Sequence, residues 1–86
     1  MDTWIKHLNS LEKTFRFESF INAIEFMKRA SIDIDTLNHH PEWTNIYNKV
    51  TVTLRTHDAG NVVTDLDYRL AEMLDAIYEE FHQENS

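Results

Sequence analysis

The alternation of apolar and polar positions divides the 86-residue chain into six candidate elements. Residues 4–8 (WIKHL) read as a short strand, and Asn9-Ser10 supplies turn chemistry. Residues 11–17 finish with a period of two, Phe15 and Phe17 to one side and Thr14 and Arg16 to the other, so a hairpin is expected. Ser19 is a helix-capping residue. After it Phe20, Ile24 and Met27 recur at helical spacing, joined by Ala23 and Ala30. Glu25 precedes Lys28 and Arg29 by three and four residues, a supportive pairing on the outer face. The helix is expected to weaken over Ser31-Ile32-Asp33-Ile34, where β-branched and acidic residues replace good helix formers. A short second helical piece is expected over residues 35–38, and Pro41 turns the chain.

Residues 43–47 read as a strand, Asn48-Lys49 as a tight turn, and residues 50–57 as the clearest strand of all. Val50, Val52 and Leu54 face one way; Thr51, Thr53, Arg55 and His57 face the other, provided the strand stays regular to its end. Residues 58–61 form a loop. Thr64 with Asp67 resembles a capping box in which aspartate replaces glutamate, and this pair is read as a cap rather than as catalytic. The last helix carries Leu66, Leu70, Met73, Leu74, Ile77 and Phe81 on one stripe, with a fraying tail over residues 82–86. Strand, strand, helix, strand, strand, helix predicts an α+β fold: a four-stranded antiparallel sheet with helices packed on one face, in two layers and one domain over residues 1–86.

Composition narrows the function. With 42% apolar and 27% charged residues the chain is globular, although a domain this short buries only roughly 60–65% of its unfolded surface. No cysteine is present, so disulfides, thiolate nucleophiles and cysteine-bound metals drop out. Fifteen acidic residues against eight basic ones give a net charge of −7, and no basic stripe offsets it, so direct nucleic-acid binding is not expected. No apolar run approaches the ~20 residues of a membrane span, and no signal-peptide pattern opens the chain; a cytoplasmic protein without membrane attachment is expected. A single glycine, Gly60, argues against phosphate loops and dinucleotide folds.

The chemistry concentrates in three histidines. His39 and His40 adjoin the only proline, and His57 ends the last strand beside a loop. Asp35, four residues before His39, shares its face if residues 35–39 are helical. Metal ligation is the weakest reading: adjacent side chains diverge, and no His-x-His or His-x-x-x-His spacing exists. Acid–base work by converging imidazoles, and structural histidines with His40 packed beside Trp43, both remain.

Asp35-x-x-x-His39-His40-Pro41, then Tyr47, His57 and Asp67, resembles the signature of the pterin-4a-carbinolamine dehydratases. "NHHPEWTNIYNKV", "LRTHDAG", "LDYRLAEMLDAI" and "FRFESFINAIEFMKRA" are each similar to that family. The resemblance implies a four-stranded antiparallel sheet with helices on one side. It implies dehydration of 4a-hydroxytetrahydropterin to quinonoid dihydropterin, a step that recycles the cofactor of aromatic amino-acid hydroxylases and needs no metal or organic cofactor. It implies His39 and His57 as proton-transfer groups and His40 as a group that orients the pterin. Asp35, Pro41, Thr56, Asp58 and Ala59 match positions that line the pterin site, and Trp43 is a candidate wall. A homodimer or homotetramer is the implied assembly. Two departures stand out: Asp35 replaces a frequent glutamate, and "THDAGNVVT" is one residue longer than the usual run, with Asn61 where a second glycine is common. The alternatives are an oligomeric protein-interaction module, like a dimerisation partner of a transcription factor, and a pterin binder in another pathway.

Overall fold

In chain order the elements are β1 (Ile5–Lys6), β2 (Leu11–Arg16), α1 (Phe20–Leu37), β3 (Glu42–Ile46), β4 (Lys49–Leu54), a 3-10 turn (His57–Ala59) and α2 (Asp65–Glu84). This computed structural model describes residues 3–84, the last four as helix backbone only; the expected burial of Phe81 and the end of the fraying tail lie outside the described side chains and residues. The strands form one antiparallel sheet in the order β1-β2-β4-β3. The period of two decides its faces. Leu11, Lys13 and Phe15 of β2 stand opposite Leu54, Val52 and Val50 of β4, and Trp43 of β3 stands opposite Val52. Leu11, Phe15, Val50, Val52 and Leu54 are buried, in one core with residues of both helices, whereas Glu12, Thr14, Thr51 and Thr53 on the reverse face are not. The predicted α+β fold, with helices on one sheet face, is the observed one.

α1 begins where Ser19 takes an extended conformation and its Oγ accepts the Asn22 N–H at 3.1 Å. Its buried face is Ala23, Phe26, Ala30 and Ile34; of the predicted stripe Ala23 and Ala30 are buried and Met27 packs against the core, whereas Phe20 and Ile24 are 45% and 38% exposed. The two alanines let the helix approach closely, and Phe26 then packs on Phe15 and Phe17 with ring centroids 5.0 and 5.1 Å away. The helix also does not break at Ser31–Ile34. Burial of Ile34 overrides the weak local propensity, and the Ser31 and Thr36 hydroxyls donate to the carbonyls of Lys28 and Ile32 within the helix, at 2.6 and 2.9 Å.

Three other boundaries differ from expectation. The β3–β4 turn is Tyr47-Asn48, because Lys49 already pairs with Ile46; Tyr47 adopts φ 52°, and the Asn45 amide braces the turn by donating to the carbonyls of Tyr47 and Lys49. β4 stops at Leu54, so His57 opens a 3-10 turn instead of extending the strand's polar face. β1 keeps only two residues. The start of the chain is held instead by Trp4, whose indole N–H donates to the Asp75 carboxylate at 3.1 Å, and by Lys13, whose Nζ donates to the same group at 2.7 Å. Among the described residues no helix is long and apolar enough to cross a membrane.

Phe26 is fully buried among three other aromatic rings, Phe15, Phe17 and Tyr78. Phe26→Ala is expected to lower the free energy of unfolding by about 3–5 kcal/mol, a large share of the roughly 5–15 kcal/mol of a small domain. Urea unfolding followed by circular dichroism checks this; a loss below about 1 kcal/mol would show that the aromatic cluster is not the core's centre.

Candidate active site

The site grows from the way α1 ends. Asn38 adopts the left-handed conformation (φ 56°, ψ 40°), a shape asparagine tolerates better than most residues. Its N–H bonds the carbonyl of Asp35 at 3.1 Å, and the His39 N–H bonds that of Ile34 at 3.4 Å, which closes a Schellman motif. The backbone therefore reverses within one residue. His39 turns inward and is 9% exposed; His40 turns outward. The expected Asp35–His39 pairing does not form, because residues 35–39 are not one continuous helix. Asp35 pairs with His40 instead, Oδ1 to Nε2 at 3.3 Å.

His39 has a different partner. Its Nε2 lies 2.6 Å from Oδ1 of Asp67, in the first turn of α2. Asp67 is fully buried, a costly place for a carboxyl group unless donors surround it. Its Oδ2 accepts from the Thr56 hydroxyl and from the Thr64 N–H, both at 2.8 Å. The Thr56 hydroxyl has one proton, already given to Asp67, so the Thr64 hydroxyl is the donor in the 2.5 Å contact with Thr56 Oγ1. Asp67 thus completes the reciprocal half of the predicted capping box while also holding His39.

Thr56 follows β4 and is paired with Val62 through an isolated bridge, its N–H donating to the Val62 carbonyl at 2.8 Å. Its own carbonyl accepts from the N–H groups of Ala59 and Asn61, at 3.2 and 3.1 Å. These bonds shape the exposed turn that carries His57, Asp58 and Ala59. His57 Nδ1 lies 2.9 Å from Oδ1 of Asn61.

An open depression of about 610 Å³ lies against the end of α1, lined by Asp35, His40, Pro41 and Trp43 together with Ser31, Ile32, Ile34 and Thr36. That volume suits a small planar ligand. The candidate residues therefore fall into two groups. Asp35, His40, Pro41 and Trp43 line the depression. Thr56, His57, Asp58 and Ala59 belong to the loop after β4 and are not among its lining residues. His39, buried, joins the two groups through Asp67. Thr56 spends its hydroxyl inside this network, so its role is to hold the loop rather than to meet a ligand directly. Three residues stand outside the predicted site set: Asp67, which the family signature includes but the capping-box reading claims, Asn61, noted only as a departure from the family's loop, and Ile32, a wall of the depression. Asp67 carried a signal, since a carboxylate three, four and seven residues before Leu70, Ala71 and Leu74 stands on the buried stripe of α2. Asn61 carried one as well, standing where a second glycine is common in the loop beside His57; Ile32 had none.

Fold and histidine set together define an α+β protein of the pterin dehydratase class. Residues 1–77 match the family model of pterin 4 alpha carbinolamine dehydratase, and the chain belongs to that family. A relative from Opitutus terrae, provisionally named pterin-4-alpha-carbinolamine dehydratase, is 51% identical over 86% of this chain and 76% of its own length. A relative from Rhizobium etli with the same provisional name is 52% identical over 78% of this chain; the match spans 65% of that relative. The crystal structure of a transcriptional coactivator/pterin dehydratase from Brucella melitensis superposes with a TM-score of 0.80 at 39% identity, covering 90% of this chain and 81% of that one. A pterin dehydratase-like protein identified as a RuBisCO assembly factor in the alpha-carboxysome shares the fold, with a TM-score of 0.71 at 19% identity over 90% of this chain and 88% of that one.

Asp67→Asn keeps the size of the side chain but replaces one acceptor oxygen by an NH₂ group, which then meets either His39 Nε2 or the Thr56 and Thr64 donors where an acceptor stood. The variant is expected to unfold with about 1–3 kcal/mol less free energy. Chemical denaturation at neutral pH measures it; unchanged stability would remove Asp67 as the organiser of the site.

Proposed function

We propose that the protein dehydrates a 4a-hydroxytetrahydropterin to the quinonoid dihydropterin by histidine acid–base catalysis. One observation carries this reading beyond family membership. Asp67 bonds both His39 and Thr56, the residue before His57, and so joins the two chain segments that carry these signature histidines.

The reaction breaks the C4a–O bond. The hydroxyl takes up a proton and departs as water, and N5 gives up its proton as the C4a=N5 bond forms. One group must deliver a proton and another must accept one, and imidazoles suit both tasks near neutral pH. His39 and His57 are the proposed proton-transfer groups. Asp67 holds Nε2 of His39, which leaves Nδ1 as the nitrogen free to work. His40, oriented by Asp35 at the rim, is proposed to bind the pterin, with Pro41 and Trp43 as apolar walls; Asp58 and Ala59 are proposed as further pterin-binding residues from the family resemblance. The physiological role proposed is the recycling of the pterin cofactor of aromatic amino-acid hydroxylases in the cytoplasm.

A homo-oligomer is proposed as the working form. Phe20, Ile21 and Ile24 leave one side of α1 apolar and 45%, 64% and 38% exposed, a surface that a second copy of the chain would cover. Sedimentation equilibrium is expected to give a mass of two or four chains; a monomer at micromolar concentration would remove this part of the reading.

The decisive assay generates the carbinolamine with a pterin-dependent hydroxylase and follows its decay by ultraviolet absorbance. The protein is expected to accelerate decay, and His39→Ala or His57→Ala to reduce that acceleration by roughly 10²- to 10⁴-fold. His40→Ala is expected to raise KM more than it lowers kcat. A wild-type rate equal to the spontaneous one sinks the proposal, and full activity in both the His39 and His57 variants sinks the site assignment.

A further inference from the structure

The loop between β4 and α2 contains a contact that the proposed reaction has not yet used. Gly60 and Asn61 are consecutive left-handed residues, with φ 89° and 60°. Asparagine adopts this conformation at little cost, so it can stand where a second glycine would otherwise serve and still carry a side chain. That side chain folds back across the 3-10 turn, and its Oδ1 lies 2.9 Å from Nδ1 of His57. The Asn61 backbone is itself held, since its N–H donates to the Thr56 carbonyl at 3.1 Å. The amide is therefore anchored to the residue that Asp67 grips, through Thr56 Oγ1 at 2.8 Å.

A carboxamide oxygen can only accept a hydrogen bond, so the proton in this contact belongs to His57 Nδ1. A neutral imidazole has one N–H, and its other nitrogen then bears the lone pair. His57 is distinct in this respect from its two neighbours, which both use Nε2 toward a carboxylate, His39 to Asp67 and His40 to Asp35. His57 alone of the three uses Nδ1, toward a neutral group, and its Nε2 makes no hydrogen bond among the described residues of this exposed turn.

We propose that Asn61 is a positioning residue that holds His57 in the Nδ1–H tautomer, so that Nε2 presents a lone pair for accepting the substrate's N5 proton. The proposal rests on the dehydratase reading for its chemical consequence, but the tautomer itself is a property of the free protein. Nothing is consumed beyond the proposed reaction: the N5 proton passes to Nε2, and the imidazolium returns it to solvent or to the departing hydroxyl.

The test separates these two layers. In the wild-type protein, long-range proton–nitrogen correlation spectra at a pH where the ring is neutral are expected to show His57 protonated at Nδ1. Asn61→Gly preserves the left-handed backbone and removes the amide; the ring is then expected to shift toward the Nε2–H form that unconstrained imidazole favours. Asn61→Asp keeps an oxygen in place and is expected to retain Nδ1–H. In the carbinolamine assay, Asn61→Gly is expected to lower kcat about 3- to 10-fold, the size of one lost neutral hydrogen bond, with KM changed less than twofold. An Nε2–H tautomer in the wild type overturns the proposal, as does an Asn61→Gly variant whose His57 keeps Nδ1–H. A protein with the Nδ1–H tautomer but no dehydratase activity would uphold the positioning role and defeat the dehydratase reading.

Discussion

The site depends on one buried carboxyl group. Asp67 is fully enclosed, and a carboxyl group there is tolerable only if donors replace the water it has lost. The three donors come from three places in the chain: His39 after α1, Thr56 after β4 and Thr64 before α2. Satisfying one residue therefore forces three connecting segments to meet. The apolar core draws the helices onto the sheet but says little about how the loops at its end are arranged. The polar network supplies that information, because a hydrogen bond is directional where apolar contact is not.

The second constraint is the sharp end of α1. A helix that drifted to its end would leave His39 and His40 about 100° apart on one cylinder. The left-handed Asn38 and the two bonds that follow it reverse the chain at once, so one imidazole enters the core and the other stays at the surface. Pro41 then commits the chain to β3 and forms part of the depression's wall. The adjacent histidines thus serve different places without any shared ligand between them.

A pterin dehydratase-like protein identified as a RuBisCO assembly factor has the same architecture. That protein keeps this fold at 19% identity, so the fold alone does not settle an activity. In this chain the polar side chains gathered past the ends of α1 and β4 are the Asp67 network, the Asp35–His40 pair at the rim, and the His57 turn with its Asn61 brace.

Periodicity by itself determined the order of the elements, the apolar face of β2 and β4, and most of the buried stripe of α2, because burial of one side of a strand or helix is written at intervals of two or three to four residues. Placement around the only proline and at a predicted strand end singled out the three histidines, and the family resemblance gave them roles. It could not assign their partners. Asp35 is four residues from His39 in sequence but bonds His40, and the partner of His39 lies twenty-eight residues away on another helix. The buried face of α1 was read only in part for a related reason: apolar residues occupy more than one side of that helix, so Ala23 and Ala30 were placed correctly while Phe26 and Ile34, not Phe20 and Ile24, complete the buried face. Local spacing records which face is buried. Which distant donor meets a buried acceptor is decided only when separate segments are packed together, and that is where the tertiary structure placed Asp67 at the centre of the site.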